Sequence, residues 1–320
     1  MLAYYLHDLS PVIIQFSEKF KIHWYGLAYV MGFYCCYLVM VHLAKKGLGS
    51  LKPDQVGDFI TFAALFGVVL GGRLGYMLLY NFEGFIRNPI SLFRLWDGGM
   101  ASHGGIAGLA LFSLWFAKRH KISWTGIGDN LVVGSPLGIL FGRLANFING
   151  ELYGRKTDVS WAMKFPTEVH DPKFPQIAPS DLGISAAGDV FPKHSNEIVA
   201  LAKSTPDGLQ KLQEVLTPRH PSQLYEAACE GLLLFLVLYF VRVKFKNLPN
   251  GVLTGLFFIL YAISRISVET LREPDSELML YDTLTKGQFY SIFMIAIGLA
   301  FLIFGFKWGQ RPGVRTAEGK

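Results

Sequence analysis

The chain has 320 residues, of which 51% are hydrophobic and only 17% charged, with a formal net charge of +6. Soluble domains carry about 25% charged residues, so the composition excludes an ordinary water-soluble domain. The positive balance comes without aromatic-plus-basic surface motifs, which excludes a nucleic-acid binder and points instead to an anionic bilayer surface.

Crossing about 30 Å of hydrocarbon takes roughly 20 apolar residues. Stretches of that character fall at 24–44, 59–80, 100–117, 130–148, 222–243, 251–271 and 287–308. The expected fold is therefore an all-α polytopic membrane protein of about seven transmembrane helices. Before the first span, "MLAYYLHDLSPVIIQF" has no basic start and no small-residue cleavage site, so a removable signal peptide is not expected. Cys35, Cys36 and Cys229 lie within spans and read as small packing residues. In the second span Gly67, Gly71 and Gly75 recur every four residues, a pattern that lets two helices approach closely. Between the fourth and fifth spans, 154–221 is rich in Pro, Asp, Lys and Ser. It is too long for an ordinary connection, and "SNEIVALAKS" and "DGLQKLQEVL" within it predict short helices. The chain thus divides into spans one to four (1–153), a small external subdomain (154–221) and spans five to seven (222–320).

Orientation follows the distribution of lysine and arginine. One set of connections carries Lys45, Lys46, Lys52, Lys118, Arg119, Lys121, Arg242, Lys244, Lys246, Lys307, Arg311, Arg315 and Lys320. The other carries only Lys19, Lys21, Arg87, Arg94, Arg272 and Lys286. The richer side is assigned to the cytoplasm, which puts the amino terminus and 154–221 outside.

An intramembrane Arg or Asp costs about 2.5–3.5 kcal/mol on insertion scales, so each polar position carries information. With this topology His23 and Tyr25, Arg73 and Tyr76, His103, Arg143 with Asn146 and Asn149, Gln223 with Glu226 and Glu230, and Tyr261 with Arg265 and Glu269 all fall toward the outer ends of spans. Tyr261, Arg265, Glu269 and Arg272 share a helical stripe. Salt bridging, for example of Arg73 or Arg265 with Glu226 or Glu269, accounts for any one pair. A whole belt of guanidinium groups at headgroup depth suits a phospholipid phosphate, which arginine grips bidentately. "HGG" at 103–105 adds an imidazole beside accessible backbone. Asp129 stands apart near the inner end of span four. "GIGD" at 126–129 and "YD" at 281–282 resemble the two elements of intramembrane aspartyl proteases, but their order is reversed and they lie at opposite faces, so no shared carboxylate site results. Asp129 reads as a helix N-cap or a pairing partner. The eight histidines are scattered and show no metal-ligand spacing, so neither metal nor cofactor is expected.

"GRLANFINGELYG" at 142–154 resembles the signature of the prolipoprotein diacylglyceryl transferases, G-R-x-[GA]-N-F, an apolar residue, then N-x-E-x-x-G. It is met by Gly142, Arg143, Ala145, Asn146, Phe147, Asn149, Glu151 and Gly154. The similarity extends through "HWYGLAY", "GGRLGYMLLYN", "GGMASHGGIAG", "HPSQLYEA" and "SRISVETLREPD". It implies transfer of the diacylglyceryl unit of phosphatidylglycerol to the lipobox cysteine of a preprolipoprotein signal peptide, with release of glycerol phosphate, at the bacterial inner membrane. On that basis His103 is expected as base or proton relay close to Tyr261. Arg143 and Arg265 would hold the phosphate, with Asn146, Tyr25, Arg73 and Gly154 also lining the lipid site. Glu151 and Glu269 would orient the arginines, with Tyr76, Asn149, Gln223, Glu226 and Asp129 in support. A lipid transporter using the same arginines would extend polar residues to the inner face, where only Asp58 and Asp129 lie. A scaffold whose buried ions merely pair would tolerate paired charge reversal.

Overall fold

The computed structural model describes residues 4–17, 20–273 and 284–311. Asp282, Lys19, Arg315 and Lys320, used in the readings above, lie outside the described residues. The elements are β1 (Tyr5–Leu6), β2 (Val12–Gln15), β3 (Lys21–His23), α1 (Trp24–Lys45), α2 (Pro53–Phe62), α3 (Leu70–Leu79), α4 (Phe82–Arg87), α5 (Ser102–His120) and α6 (Trp124–Asn149). They continue with β4 (Met163–Lys164), α7 (Ser195–Lys203), α8 (Gly208–Val215), α9 (Ser222–Glu226), α10 (Leu234–Lys244), α11 (Val252–Glu269) and α12 (Lys286–Trp308). Both helices expected within 154–221 form, as α7 and α8.

Among the described residues six helices are long and apolar enough to cross a membrane: Trp24–Lys45, Pro53–Leu79, Trp124–Asn149, Ser222–Lys244, Val252–Glu269 and Lys286–Trp308. The chain is a mostly helical, multi-pass membrane protein. The third expected span, 100–117, falls on α5, which is a helix of sufficient length but too polar to count among the six. His103 and three glycines dilute its first two turns, and Lys118, Arg119 and His120 close it. Two spans contain a π-helical turn, Ala63–Val69 between α2 and α3 and Ala227–Leu233 between α9 and α10. Such turns store strain and often accompany functional positions.

The chain forms two compact units. One comprises Phe33–Ser135, Leu236–Phe257 and Ile297–Lys320. The glycine stripe of span two works as a packing surface here. A Cβ on Gly71 would lie 2.7 Å from the carbonyl oxygen of Gly104, and one on Gly75 would lie 2.6 Å from the Gly104 Cα. Two backbones touch where side chains would hold them apart, as close van der Waals packing in lipid demands. Met40, Val56, Phe59, Phe116 and Ile127 fill the neighbouring core, with the Phe59 and Phe116 rings edge to face at 5.1 Å.

Asp129 belongs to this unit and caps a helix, though not its own. It sits within α6, and its carboxylate accepts from the Gly251 amide at 2.9 Å, the Thr254 amide at 2.8 Å and the Thr254 hydroxyl at 2.7 Å. The orphan donors at the start of α11 are thereby satisfied from a different helix.

The other unit comprises Met1–Gly32, Pro136–Phe235 and Phe258–Ala296. Its 154–221 segment has an apolar core of Phe174, Leu182, Ile184, Ile198, Leu212 and Leu216, against which Leu6 also packs. The amino terminus joins this segment because β1 pairs in parallel with β4, Tyr5 opposite Met163 and Leu6 opposite Lys164. β2 and β3 form an antiparallel hairpin that leads straight into α1.

Candidate active site

Helix α6 ends in the "NFINGELYG" stretch, and how it ends builds the first part of the site. Gly150 takes a left-handed φ of +69°, the usual way to stop a helix. Its amide donates to Phe147 O at 2.9 Å, and the Glu151 amide donates to Asn146 O at 3.1 Å. A side chain at Gly150 would meet Ser195 Oγ at 2.6 Å. The reversal swings Glu151 back over the helix end. There its Oε1 accepts from Asn146 Nδ2 at 2.8 Å and from Asn149 Nδ2 at 3.2 Å, while Asn146 Nδ2 also reaches Tyr25 Oη at 3.2 Å. The loop is stapled to α9, since Gln223 Nε2 donates to Glu151 O at 2.7 Å and Ser222 Oγ to Leu152 O at 3.0 Å.

Beside this polar corner three guanidinium groups meet three carboxylates. Glu226 and Glu230 are fully buried, and Glu269 nearly so. Arg265 Nη1 donates to Glu226 Oε1 at 2.5 Å and lies 3.7 Å from Glu230 Oε1, while its Nη2 is 2.6 Å from Glu269 Oε2. Arg143 reaches Glu226 Oε2 through Nε and Glu230 Oε2 through Nη2, each at 3.3 Å. Arg272 Nε stands 3.6 Å from Glu226 Oε1. Glu269 is held further by the Thr285 hydroxyl at 2.8 Å. Buried charges persist only when paired and hydrogen-bonded, and here each carboxylate holds at least one guanidinium. Arg143 is the most open of the three, its side chain 19% exposed. Among the described residues its Nη1 amino group has no protein partner. The cluster therefore presents a fixed, charged donor at its rim, suited to an anionic oxygen.

Several expectations change. Glu151 does not orient an arginine in this arrangement; it fixes Asn146 and Asn149, and Glu226 and Glu230 take the arginine-holding part beside Glu269. Arg272 does not arrive along the helical stripe of Tyr261, Arg265 and Glu269. α11 ends at Glu269, and Arg272 is carried in by an antiparallel backbone bridge to Gly154. Gly154 is needed for that bridge: a Cβ there would lie 2.5 Å from Leu271 O and 2.7 Å from His220 Cβ. The close approach it permits is to the chain's own backbone. Glu230 and Arg272 were not singled out as site residues, although the i, i+4 spacing of Glu226 and Glu230 on one helix face was a usable signal.

Arg73, Tyr76 and His103 lie in the other unit. Arg73 is buried and faces no phosphate in this arrangement. Nε donates to Leu92 O at 3.3 Å, Nη1 to Gly99 O at 3.0 Å and to Gly98 O, and Nη2 to Ser91 O at 2.7 Å and Arg94 O at 2.9 Å. All of its donor groups are engaged in folding the 88–99 loop over α3, so neither an anion nor a carboxylate is its partner. Tyr76 packs beneath the same loop against Gly99, whose φ of +80° leaves space for the ring. His103 is exposed in the first turn of α5, whereas Tyr261 falls in the unit of the arginine cluster.

Below the signature loop, Arg219 donates through Nε and Nη2 to Glu168 Oε1 at 2.8 and 2.6 Å and through Nη1 to Gly154 O at 3.2 Å. The neighbouring Glu168 and Glu273 carboxylates and the Tyr153 ring, 4.9 Å away, outweigh burial and raise its pKa further. Among the described residues no cluster of three or more His, Cys, Asp or Glu could hold a metal ion.

Known proteins share this sequence over nearly its whole length. Residues 11–304 match the family model of the prolipoprotein diacylglyceryl transferase. The phosphatidylglycerol–prolipoprotein diacylglyceryl transferase of Serratia proteamaculans is 40% identical over 307 residues, covering 95% of this chain and 94% of its own. Those of Photorhabdus laumondii and Marinomonas sp. are 38% and 36% identical, covering 94% and 97% of this chain and 94% and 98% of their own. With a match that runs through both units and includes every residue of the arginine–carboxylate cluster, the chain belongs to the prolipoprotein diacylglyceryl transferase family.

Proposed function

We propose that this transferase takes phosphatidylglycerol as donor and the lipobox cysteine of a preprolipoprotein signal peptide as acceptor. The cysteine sulfur bonds to the diacylglyceryl carbon that carries the phosphate ester. The carbon–oxygen bond breaks, and glycerol phosphate leaves with the electron pair. A thiol has a pKa near 8.5 and reacts as thiolate, so its proton must pass to a base. His103 is assigned that part, with Tyr261 in the proton path.

Arg143 and Arg265 bind the phosphate and stabilise the charge that grows on the leaving oxygen, the preorganised electrostatics that dominate such steps. The observation that carries this reading is the Nη1 of Arg143, unpartnered among the described residues, on a guanidinium otherwise locked by Glu226 and Glu230. Tyr25 and Asn146, joined to each other and to Glu151, position the headgroup glycerol. Glu226, Glu230 and Glu269 keep the arginines in place. The relatives are named for both substrates, and the basic connections favour an orientation in the bacterial inner membrane with amino terminus and external segment in the periplasm and carboxyl terminus in the cytoplasm.

The test is purified protein with labelled phosphatidylglycerol and a lipobox peptide, followed by mass spectrometry. A diacylglyceryl thioether on the cysteine is expected, and its absence with active lipid present would refute the reading. Arg143→Ala should lose far more transfer than Arg143→Lys. A His103→Gln protein with near-normal transfer would remove the base assignment.

A further inference from the structure

The hairpin of β2 and β3 has an exposed apolar face. Ile14 stands opposite Ile22 in the ladder. Phe16 and Phe20 close the next step, with Phe16 N donating to Phe20 O at 3.1 Å and their rings 5.6 Å apart. Side chains alternate along a strand, so these four share one face. They are 48%, 39%, 65% and 63% exposed in the order Ile14, Ile22, Phe16, Phe20. Gln15 and Lys21, opposite each other, belong to the other face. A two-stranded hairpin is marginal in water and needs a second layer on its apolar side.

We infer that the second layer is the bilayer, and that the hairpin is an interfacial anchor laid into the lipid boundary on its Ile14, Phe16, Phe20 and Ile22 face. Its position fixes the occupant. β3 ends at His23 and α1 begins at Trp24, with Trp24 N donating to Pro11 O at 3.0 Å across the base of the hairpin. Val12 and Ile13 line a recess with Leu9, Trp24 and Ile148, so the hairpin lies against the first residue of one membrane span and near the last of another. The hairpin thus stands at the ends of helices that cross the lipid, and its apolar face is exposed there. From Pro11 to Phe16 the strand reaches roughly 16 Å at about 3.3 Å per residue, and an interfacial element buries its apolar face about 5–10 Å deep. Lys21 and His23, both exposed, then sit where cationic side chains meet headgroup phosphates. This inference needs only the membrane-spanning fold and stands apart from the proposed chemistry.

Single cysteines at 14, 15, 16, 20, 21 and 22, placed in full-length protein whose native cysteines have been replaced and whose transfer activity matches the parent, would carry nitroxide labels. After reconstitution into phosphatidylglycerol-containing nanodiscs, collision with oxygen and with a water-soluble nickel chelate would be measured. A several-fold higher oxygen-to-nickel ratio at 14, 16, 20 and 22 than at 15 and 21 is expected. High nickel access at all six positions would overturn the inference. So would shielding of the four from both reagents, which would mean a protein occupant, either a peptide or a second copy. Phe16→Trp provides a second reading, with quenching by brominated lipid beyond that of the parent expected and its absence counting against insertion.

Discussion

Replacing Glu226 by glutamine removes a carboxylate that faces all three guanidinium groups. In the native cluster its oxygens lie 2.5 Å from Arg265, 3.3 Å from Arg143 and 3.6 Å from Arg272, in a fully buried position. A pair of charges about 4 Å apart interacts by about 4 kcal/mol at an effective dielectric of 20. Glutamine escapes the cost of burying a charge, so much of that is offset. Removing one partner from a buried pair typically costs about 3–5 kcal/mol. For a chain of this size that corresponds to a drop in Tm of roughly 4–8 °C. The variant cluster carries an excess positive charge, so attraction for an anionic lipid is not lost and KM should not rise. The guanidiniums are no longer held in place, and misplacement by about 1 Å costs on the order of a hundredfold in rate, so kcat should fall by about that much. Thermal unfolding in detergent and transfer kinetics against phosphatidylglycerol check the two parts separately. A Glu226→Gln protein with parental Tm and parental kcat would refute the account of the cluster. If Glu226→Gln with Arg265→Gln regained stability and full activity together, the ions would be a scaffold and not a site.

Gly150→Ala should cost about 1–2 kcal/mol from its left-handed φ, and more from the meeting with Ser195, and it should depress transfer by displacing Glu151; unfolding and activity of the variant measure both. Asp129→Ala should lower stability by about 1–2 kcal/mol as a lost helix cap while leaving KM for lipid unchanged, because its three acceptor contacts all serve the start of α11. Gly71→Leu should prevent close packing of α3 on α5, where even a Cβ is 2.7 Å from a carbonyl oxygen, and should be seen as loss of folded protein on size exclusion. His7 is buried between Phe147 and Phe165 beside the 154–221 segment, and burial lowers its pKa. The unfolded state therefore binds the proton more readily, so stability should fall as pH drops below about 6.5. His7→Phe should flatten that part of a Tm-against-pH curve from pH 8 to pH 5, with His194 and His220, also lowered by burial, supplying what slope remains.

Much of this protein follows from the order of its residues. Six spans and the weaker α5 are legible because apolar length is a local property, and α7 and α8 because their periodicity is. The stripe Gly67, Gly71, Gly75 announces a close helix contact before its partner is known. "GRLANFINGELYG" names the family because that run is read without reference to any other part of the chain. What only the tertiary structure decided are the pairings between residues far apart in sequence: Arg143 with Glu230, 87 positions away, Arg265 with Glu226 and Asp129 with the start of α11. Arg73 shows the limit most clearly. Its residue type and apparent depth match those of Arg143, yet one guanidinium is consumed by the carbonyls of a nearby loop and the other keeps an amino group that no described residue engages, at the rim of a carboxylate nest. Charge and depth are written in the sequence, but the partner that saturates a donor, or leaves it open for a ligand, is set by which backbone folds against it.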